Sequence, residues 1–390
     1  MARLGDVCFK ITDGSHNPPQ GVSASEYLML SSKNIFDDVI TFDDPRYLSK
    51  EDFELENKRT QIATGDILMT IVGTVGRAAV VPDLAHNICL QRSVAVLKPK
   101  SEIVLPRFLM YQLQSMRTKM EKEAKGVAQK GIYLKQVEDL PIRVLSMDEQ
   151  TGIVSSLDKV SNLLSFRKQQ LAKLDELVKS RFIELFGDPV QNSKGWEAAL
   201  LKNATSKIGS GATPKGGKES YQTEGITLIR SMNVHDGRFE YKDLAHITDE
   251  QAKQLENVTV EENDVFLNIT GASVARSCIV PNHILPARVN QHVAIIRCIT
   301  SMLNPVFANQ MFLNRSFKGQ LLDIGEAGGA TRQAITKQQL ESLSVIIPPM
   351  EFQEQFATFV EQTDKSKLVV QQSIDQLETL KKSLMQKYFG

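Results

Sequence analysis

The sequence has little of what would mark a secreted, metal-bound, membrane-spanning or catalytic protein. Its four cysteines, Cys8, Cys89, Cys278 and Cys298, lie far apart in apolar surroundings, with no Cys-x-x-Cys pair and no histidine at ligand spacing. That spacing argues against a disulfide framework and against a zinc site. The six histidines form no ligand pattern, so no metal is expected. No run of about 18 uncharged apolar residues occurs, and the opening MARLGDVCFKITDG has no apolar run after its arginine, so a cytoplasmic protein without a membrane span is expected. Net charge is absent too: 46 basic residues balance 46 acidic ones. A uniformly basic coat is therefore excluded, and any nucleic-acid role must rest on local patches. What is present, 390 residues with 42% hydrophobic and 24% charged, suffices for two or three domains.

Motifs that would carry catalysis are incomplete. Asn17-Pro18-Pro19 is three quarters of the tetrapeptide with which amino-methyltransferases hold a flipped base, but Gln20 stands where the stacking aromatic belongs. The segment before it is also too short for a cofactor-binding glycine loop, so Asn-Pro-Pro reads as a turn. GATPKGGK (211–218) resembles a phosphate loop with its lysine one residue late and Glu219 in place of Ser or Thr. Pro82-Asp83 with Glu123-Ala124-Lys125 imitates a nuclease carboxylate set, yet the second half of the chain has Asn282 where Asp83 stands. No catalytic residue and no cofactor site is expected in this chain.

The chain repeats itself. LMLSSKNIFDD (28–38) matches LIRSMNVHDG (228–237), GDILMTIVGTVGRAAVVPD (65–83) matches NDVFLNITGASVARSCIVPN (263–282), and NICLQRSVAVLK (87–98) matches ARVNQHVAIIRC (287–298). LPIRVLSMDEQ (140–150) likewise matches LSVIIPPMEFQ (343–353), and LFG at 185–187 matches YFG at 388–390. A period of about half the length means a tandem duplication, two domains each followed by one appendage and related by a pseudo-two-fold axis. In the first half, short runs such as ILMTIV and SVAVLKP between Gly, Pro and Asn-Asp clusters predict strands, with one helix over 106–125. From Asp148 to Phe186 the period becomes helical. Leu157, Val160, Leu164, Leu171, Leu174, Val178 and Leu185 share one heptad seam, broken at Arg167 and Arg181. The second helix repeats the seam with Phe356, Val360, Val370, Ile374, Leu377 and Leu384, and carries Lys367 and Lys381 on it. Each could cover its own domain, but about 55 Å of helix exceeds what such a domain can bury, so the two are expected to pair antiparallel. The fold class is α+β, with two mixed α/β domains each followed by a long helix. Two similar heads at a fixed separation suit a long bipartite ligand such as double-stranded DNA.

The order of globular domain, DEQ-led helix ending in LFG, globular domain and PP-led helix ending in YFG, together with DGSH and GDILMTIVGTVGR, resembles the specificity subunits of type I restriction-modification systems. The resemblance covers essentially the whole chain. It implies target recognition domains over 1–147 and 188–350, each reading half of a split asymmetric DNA site, and spacer helices over 148–187 and 351–390. It further implies that the helices dock two modification subunits carrying S-adenosylmethionine, and that restriction subunits, with ATP and Mg in the full complex, join the assembly. A protein-only coiled-coil scaffold and a stand-alone DNA-modifying enzyme are the alternative readings.

Candidate DNA-contacting residues are polar and basic groups in loops that recur in both halves. Thr74 and Arg77 lie in a glycine-rich loop, as do Ser273 and Arg276, where backbone N–H groups can approach phosphate and Arg can read guanine or phosphate. Gln91 and Arg92, with Gln291 and His292, head an apolar strand. Lys125, Gln129 and Lys130 occupy a loop matched by Thr331, Arg332 and Gln333, with different chemistry, as two heads reading different sequences require. His16, Asn17, Lys33 and Asn34 stand behind these, with Thr213, Lys215, Arg230 and Asn233 as their counterparts.

Overall fold

The computed structural model describes residues 1–83, 87–124, 130–214, 216–326 and 333–390, with only the backbone of Lys218. They form two compact units, Met1–Lys168 with Gln372–Gly390, and Gln169–Gln371.

Two sheets of the first unit are built from the strands β1 (Cys8–Asp13), β2 (Tyr27–Leu30), β3 (Arg46–Leu48), β4 (Ile67–Thr70), β5 (Ala78–Val80), β6 (Asn87–Leu90) and β7 (Val94–Pro99). Four make an antiparallel sheet in the order β1-β7-β4-β5, and three make a mixed sheet β3-β2-β6 in which β2 and β6 run parallel. β4 and β7 are apolar at nearly every position because their two faces bury different cores. Ile67, Met69, Ala95 and Leu97 face a core with Phe108 and Tyr111 of the helix Pro106–Ser115, whereas Leu68, Val94 and Val96 face Leu28, Leu30 and Ile88 of the smaller sheet.

The second unit repeats this with β8 (Thr205–Ser210), β9 (Ile226–Ile229), β10 (Ala245–Ile247), β11 (Val265–Asn268), β12 (Ser277–Ile279), β13 (Ala287–Val289) and β14 (Val293–Cys298), in sheets β8-β14-β11-β12 and β10-β9-β13. Its alternation is the same: Val265, Leu267, Ala294 and Ile296 join one core, and Phe266, Val293 and Ile295 the other. An ion pair is duplicated as well. Buried Asp264 takes Arg297 Nε at 2.8 Å and Nη2 at 2.9 Å and caps the Glu261 N–H at 2.8 Å, and in the first unit Asp66 pairs with Lys98 and accepts from Ala63 N at 2.9 Å.

Two 40-residue helices, Met147–Phe186 and Met350–Phe389, each contribute to both units. They pack antiparallel. Within the second unit Asp175 meets Lys367 at 2.7 Å, and one heptad on, Phe182 stands edge-on to Phe356 with centroids 5.6 Å apart. Within the first, Lys168 meets Glu378 at 3.0 Å, while Leu157 shares a core with Leu384. Val160, Leu164, Val370 and Ile374 are buried, and Leu171, Leu174 and Leu377 half-buried. The seam ends differently from the heptad reading. Leu157, Val178 and Val360 belong to the cores of the globular parts, and beyond Arg181 the burial passes to Phe182 and Phe186, clustered with Phe307 and Phe356, rather than to Leu185. Both seam lysines are paired. Lys367 meets Asp175 and Asp364; burial opposes its charge, but these hydrogen bonds outweigh it and raise its pKa. Lys381 meets Asp38 and lies over the Tyr111 ring.

A buried glutamine fastens each long helix to its globular part. Gln150 accepts from Leu105 N at 2.8 Å and donates to the Ile103 and Leu145 carbonyls, both at 2.9 Å. Gln353 accepts from Asn304 N at 2.8 Å and donates to Met302 O at 3.0 Å and Pro348 O at 2.7 Å.

Two helical expectations need correction. The helix over 106–125 breaks at Met116 into Pro106–Ser115 and Arg117–Glu123, where Met116 N turns to Leu113 O and Ser115 Oγ donates back to Gln112 O. Residues read as strand and turn form the helix Lys50–Thr60, started by Ser49, whose Oγ accepts from Asp52 N at 3.1 Å.

Two outcomes follow. Gln150→Leu strands one N–H and two carbonyls, so it is expected to cost at least about 2 kcal/mol and lower the thermal midpoint of the full chain by several degrees; an unchanged midpoint contradicts the clamp. Burial pushes the thiols of Cys8, Cys89, Cys278 and Cys298 to about 12, so at pH 8 roughly one in ten thousand is thiolate. Iodoacetamide should leave the native protein unmodified at pH 8 and modify all four after denaturation, as mass spectrometry will read.

Candidate nucleic-acid interface

Each unit closes one end of its sheets with turns that brace one another through the backbone. In the first unit β1 runs into Gly14-Ser15-His16-Asn17, where Ser15 N donates to Leu90 O at 2.7 Å and Arg92 N returns a bond to Ser15 O at 2.8 Å. A Cβ on Gly14 would stand 2.1 Å from the Leu90 carbonyl oxygen, so this approach requires glycine. Gln91 N donates to Leu30 O at the end of β2, and Ile71 N to Ser93 O just beyond β4, both at 2.9 Å. Gly73 N reaches Lys130 O at 2.9 Å, beside a bridge between Val72 and Gly131. Segments scattered through the first third of the chain thus meet at one rim.

The second unit builds the same rim. Gly211 N donates to Asn290 O at 3.1 Å, and a Cβ there would lie 1.8 Å from Val289 O. Asn290 N donates to Ile229 O and Ile269 N to His292 O, both at 3.0 Å, and Gly271 N to Gln333 O at 2.9 Å beside the bridge between Thr270 and Ala334.

Most of the expected side chains lie on or beside these rims. His16 is exposed, with Nε2 2.8 Å from Asp13 Oδ2, a buried carboxylate that also takes the Arg59 guanidinium. Asn17 is exposed, and its neighbours Pro18 and Pro19 are held by Arg46 Nη1, 2.8 Å from Pro19 O. Thr74, Arg92 and Lys130 are exposed and Gln91 half-buried; Arg77 lies over the Phe36 ring at 5.0 Å. Lys33 is exposed but pairs with Asp44 at 2.6 Å. In the second unit Thr213 Oγ1 donates to Gln291 Oε1 at 2.5 Å, Gln291 Nε2 is 3.0 Å from His292 Nε2, and His292 Nδ1 is 2.5 Å from Thr270 Oγ1. Arg230 packs over Tyr221 at 5.3 Å and donates to Asp243 O. Ser273 and Arg276 are half-buried at the loop after β11, and Gln333 Nε2 donates to Glu326 Oε1 at 2.7 Å.

Asn34 and Asn233 are corrections. Both are buried, and their amides are spent on backbone: each Oδ1 accepts an N–H at 3.1 Å, from Ser31 or Arg230, and each Nδ2 donates at 2.9 Å, to Asp43 O or Glu240 O. They fold the turn after β2 and β9 and cannot reach a ligand. Lys125, Gln129, Lys215, Thr331 and Arg332 lie outside the described residues. Sequence reasoning passed over Ser15, Ser93, Arg59 and Thr270. Ser15 lies inside the DGSH motif of the family resemblance and Thr270 inside the repeated NITG, so each stood in a marked segment; nothing in one sequence marks Arg59. A cleft of about 720 Å³ in the second unit, lined by Phe182, Leu313 and Arg315 among others, shares no residue with the rim. Among the described residues no group of three His, Cys, Asp or Glu is placed to hold a metal, and no helix is long and apolar enough to cross a membrane.

Residues 24–176 and 197–379 each match the type I restriction modification DNA specificity domain. The chain belongs to that family. It carries two copies of the domain, in agreement with the two rims. The type I restriction enzyme EcoBI specificity subunit of Escherichia coli is 32% identical over 147 residues, 36% of this chain and 31% of that protein. The proposed type I restriction enzyme MjaX specificity subunit of Methanocaldococcus jannaschii is 24% identical over 362 residues, 86% of this chain and 80% of that protein. The match therefore spans under a third of the first relative and four fifths of the second. A crystal structure of a type I restriction-modification system S subunit from M. genitalium shares the fold, with a TM-score of 0.57 at 13% identity over all of this chain and 95% of that one.

If the rim is the interface, Gly14→Ala must displace it, because the Leu90 carbonyl cannot yield within a sheet. DNA affinity of the full chain is expected to fall about tenfold or more, with the far-ultraviolet circular dichroism kept. Wild-type affinity in the folded variant would remove the Ser15–Asn17 turn from the interface.

Proposed function

We propose that this chain is the non-catalytic, sequence-specific DNA-binding subunit of a type I restriction-modification complex, in which the rim of each unit reads one half of a bipartite, asymmetric site. The observation that carries the reading is the duplicated brace with exchanged side chains. Where the first unit places His16, Arg92, Ser93 and Lys130, the second places Thr213, Gln291, His292 and Gln333, with Gln91 and Asn290, Ile71 and Ile269, and Gly73 and Gly271 making corresponding backbone hydrogen bonds. Corresponding scaffolds with different donors and acceptors suit two unlike half-sites. The paired long helices dock two modification subunits, which bring S-adenosylmethionine and methylate adenine, and restriction subunits join with ATP and Mg. The complex works in the cytoplasm, where its DNA is.

In that complex the chain's own residues bind, orient and discriminate; Arg92, a planar fork of donors, suits guanine O6 and N7 or a phosphate. The test is to co-express the chain with its modification subunits and map methylated adenines in the host genome. A split, asymmetric motif is expected, and Arg92→Ala is expected to relax one half only, with about a tenfold loss of discrimination there. Uniform weakening with a shallower salt dependence would make Arg92 a phosphate contact. Methylation without a defined motif would contradict the reading.

A further inference from the structure

Around the turn between β13 and β14 the second unit carries a chain of hydrogen bonds with no counterpart among the described residues of the first: Thr213 Oγ1 to Gln291 Oε1, Gln291 Nε2 to His292 Nε2, and His292 Nδ1 to Thr270 Oγ1, at 2.5, 3.0 and 2.5 Å. Every member is both a donor and an acceptor, so the chain has two self-consistent directions. In one, the Thr213 hydroxyl donates to Gln291 Oε1, the Gln291 amide donates to unprotonated His292 Nε2, and Nδ1–H donates to Thr270. In the other, Thr270 donates to Nδ1, Nε2–H donates to Gln291 Oε1 after the amide turns over, and Gln291 Nε2 donates to Thr213. Three hydrogen bonds are made either way. The outer hydroxyl, however, presents opposite faces: Thr213 Oγ offers only lone pairs in the first direction and a free O–H in the second.

We propose that Thr213 reads a two-base position in the half-site of the second unit, with Gln291 and His292 as positioning residues that let its polarity reverse. In the major groove adenine presents its N6 amino group where guanine presents O6, and cytosine presents N4 where thymine presents O4. A hydroxyl that accepts in one state and donates in the other serves both members of such a pair at no loss of hydrogen bonds, whereas a fixed group would reject one of them. The first unit has no such glutamine–histidine pair, because Arg92, which can only donate, stands in the place of Gln291, and Ser93 stands in the place of His292. His292 is itself held in place, its N–H donating to Asn290 Oδ1 at 3.0 Å and its carbonyl accepting from Ile269 N, so the relay is built into the brace.

This inference rests on the proposed DNA-reading function, and the experiment separates the two. The methylated motif is determined for the full complex with wild-type chain, with Gln291→Glu and with His292→Arg. The wild type is expected to show a purine-or-purine position, equivalently pyrimidine-or-pyrimidine on the other strand, in the half that Arg92→Ala leaves unchanged. Gln291→Glu replaces an amide by a group that only accepts, which holds Thr213 as donor toward it and leaves lone pairs outward, so the position is expected to collapse about tenfold or more toward the base bearing an amino group. His292→Arg introduces a side chain that can only donate and is expected to collapse the same position toward the base bearing a carbonyl. A defined motif whose second half contains only single-base positions overturns the relay and leaves the function standing. A two-base position that neither variant shifts also overturns it. Absence of any motif removes the function and the relay together.

Discussion

A fully buried amide with every hydrogen bond satisfied fixes what each unit can do. Gln150 and Gln353 are each the fourth residue of a long helix, and each reaches into the loop ahead of a proline-led helix of the globular part, Pro106–Ser115 or Pro305–Leu313. One oxygen and one NH2 group satisfy an N–H and two carbonyls that would otherwise be stranded in the core. A helix held this way cannot roll against its sheet without stranding them again. The head and the first turns of the helix therefore move as one body, and whatever binds the helix is registered to the rim of the same unit.

The rim depends on the same economy of backbone. Gly14 and Gly211 bring the end of an edge strand against the turn before β7 or β14 so closely that no side chain fits. That turn in turn holds the ends of β2 and β4, or β9 and β11, through N–H donors of Gln91, Ile71, Asn290 and Ile269. With its backbone groups committed, the rim is free to vary its side chains. Exchanges such as Arg92 for Gln291 or Ser93 for His292 leave the brace intact. The long helices obey the opposite rule, since their polar exceptions are compensated: Lys367 by Asp175 and Asp364, and Lys381 by Asp38. A lysine on a seam is tolerable where a carboxylate meets it and costly where none does.

Much of this was legible in the sequence because it is written twice. Strands such as Ile67–Thr70 and Val94–Pro99 are unbroken apolar runs with both faces buried, and the heptad of Leu157 to Val178 is long enough to outweigh its single arginine. Asn34 and Asn233 misled for a physical reason: a polar residue kept in register through a duplication looks like a contact, yet here it closes a turn from inside. The helix Lys50–Thr60 was missed because only Phe53 and Thr60 are buried, which leaves no apolar period to read. Phe182 and Phe186 were passed over since the heptad frame runs on to Leu185, while the core of the second unit, not the partner helix alone, decides which face is covered. The Thr213-Gln291-His292-Thr270 chain joins residues almost eighty positions apart, and no pattern along one sequence could have assembled it.

Photo-crosslinking addresses the central claim, that each unit reads its own half of a split site, most directly. A crosslinking residue is placed at position 92 in one chain and at position 292 in another, each chain in complex with its modification subunits on a duplex carrying the methylated motif. Position 92 is predicted to attach to bases of one half only, and position 292 to bases of the other. Attachment of both positions to the same half, or to flanking DNA without regard to the motif, would contradict the account.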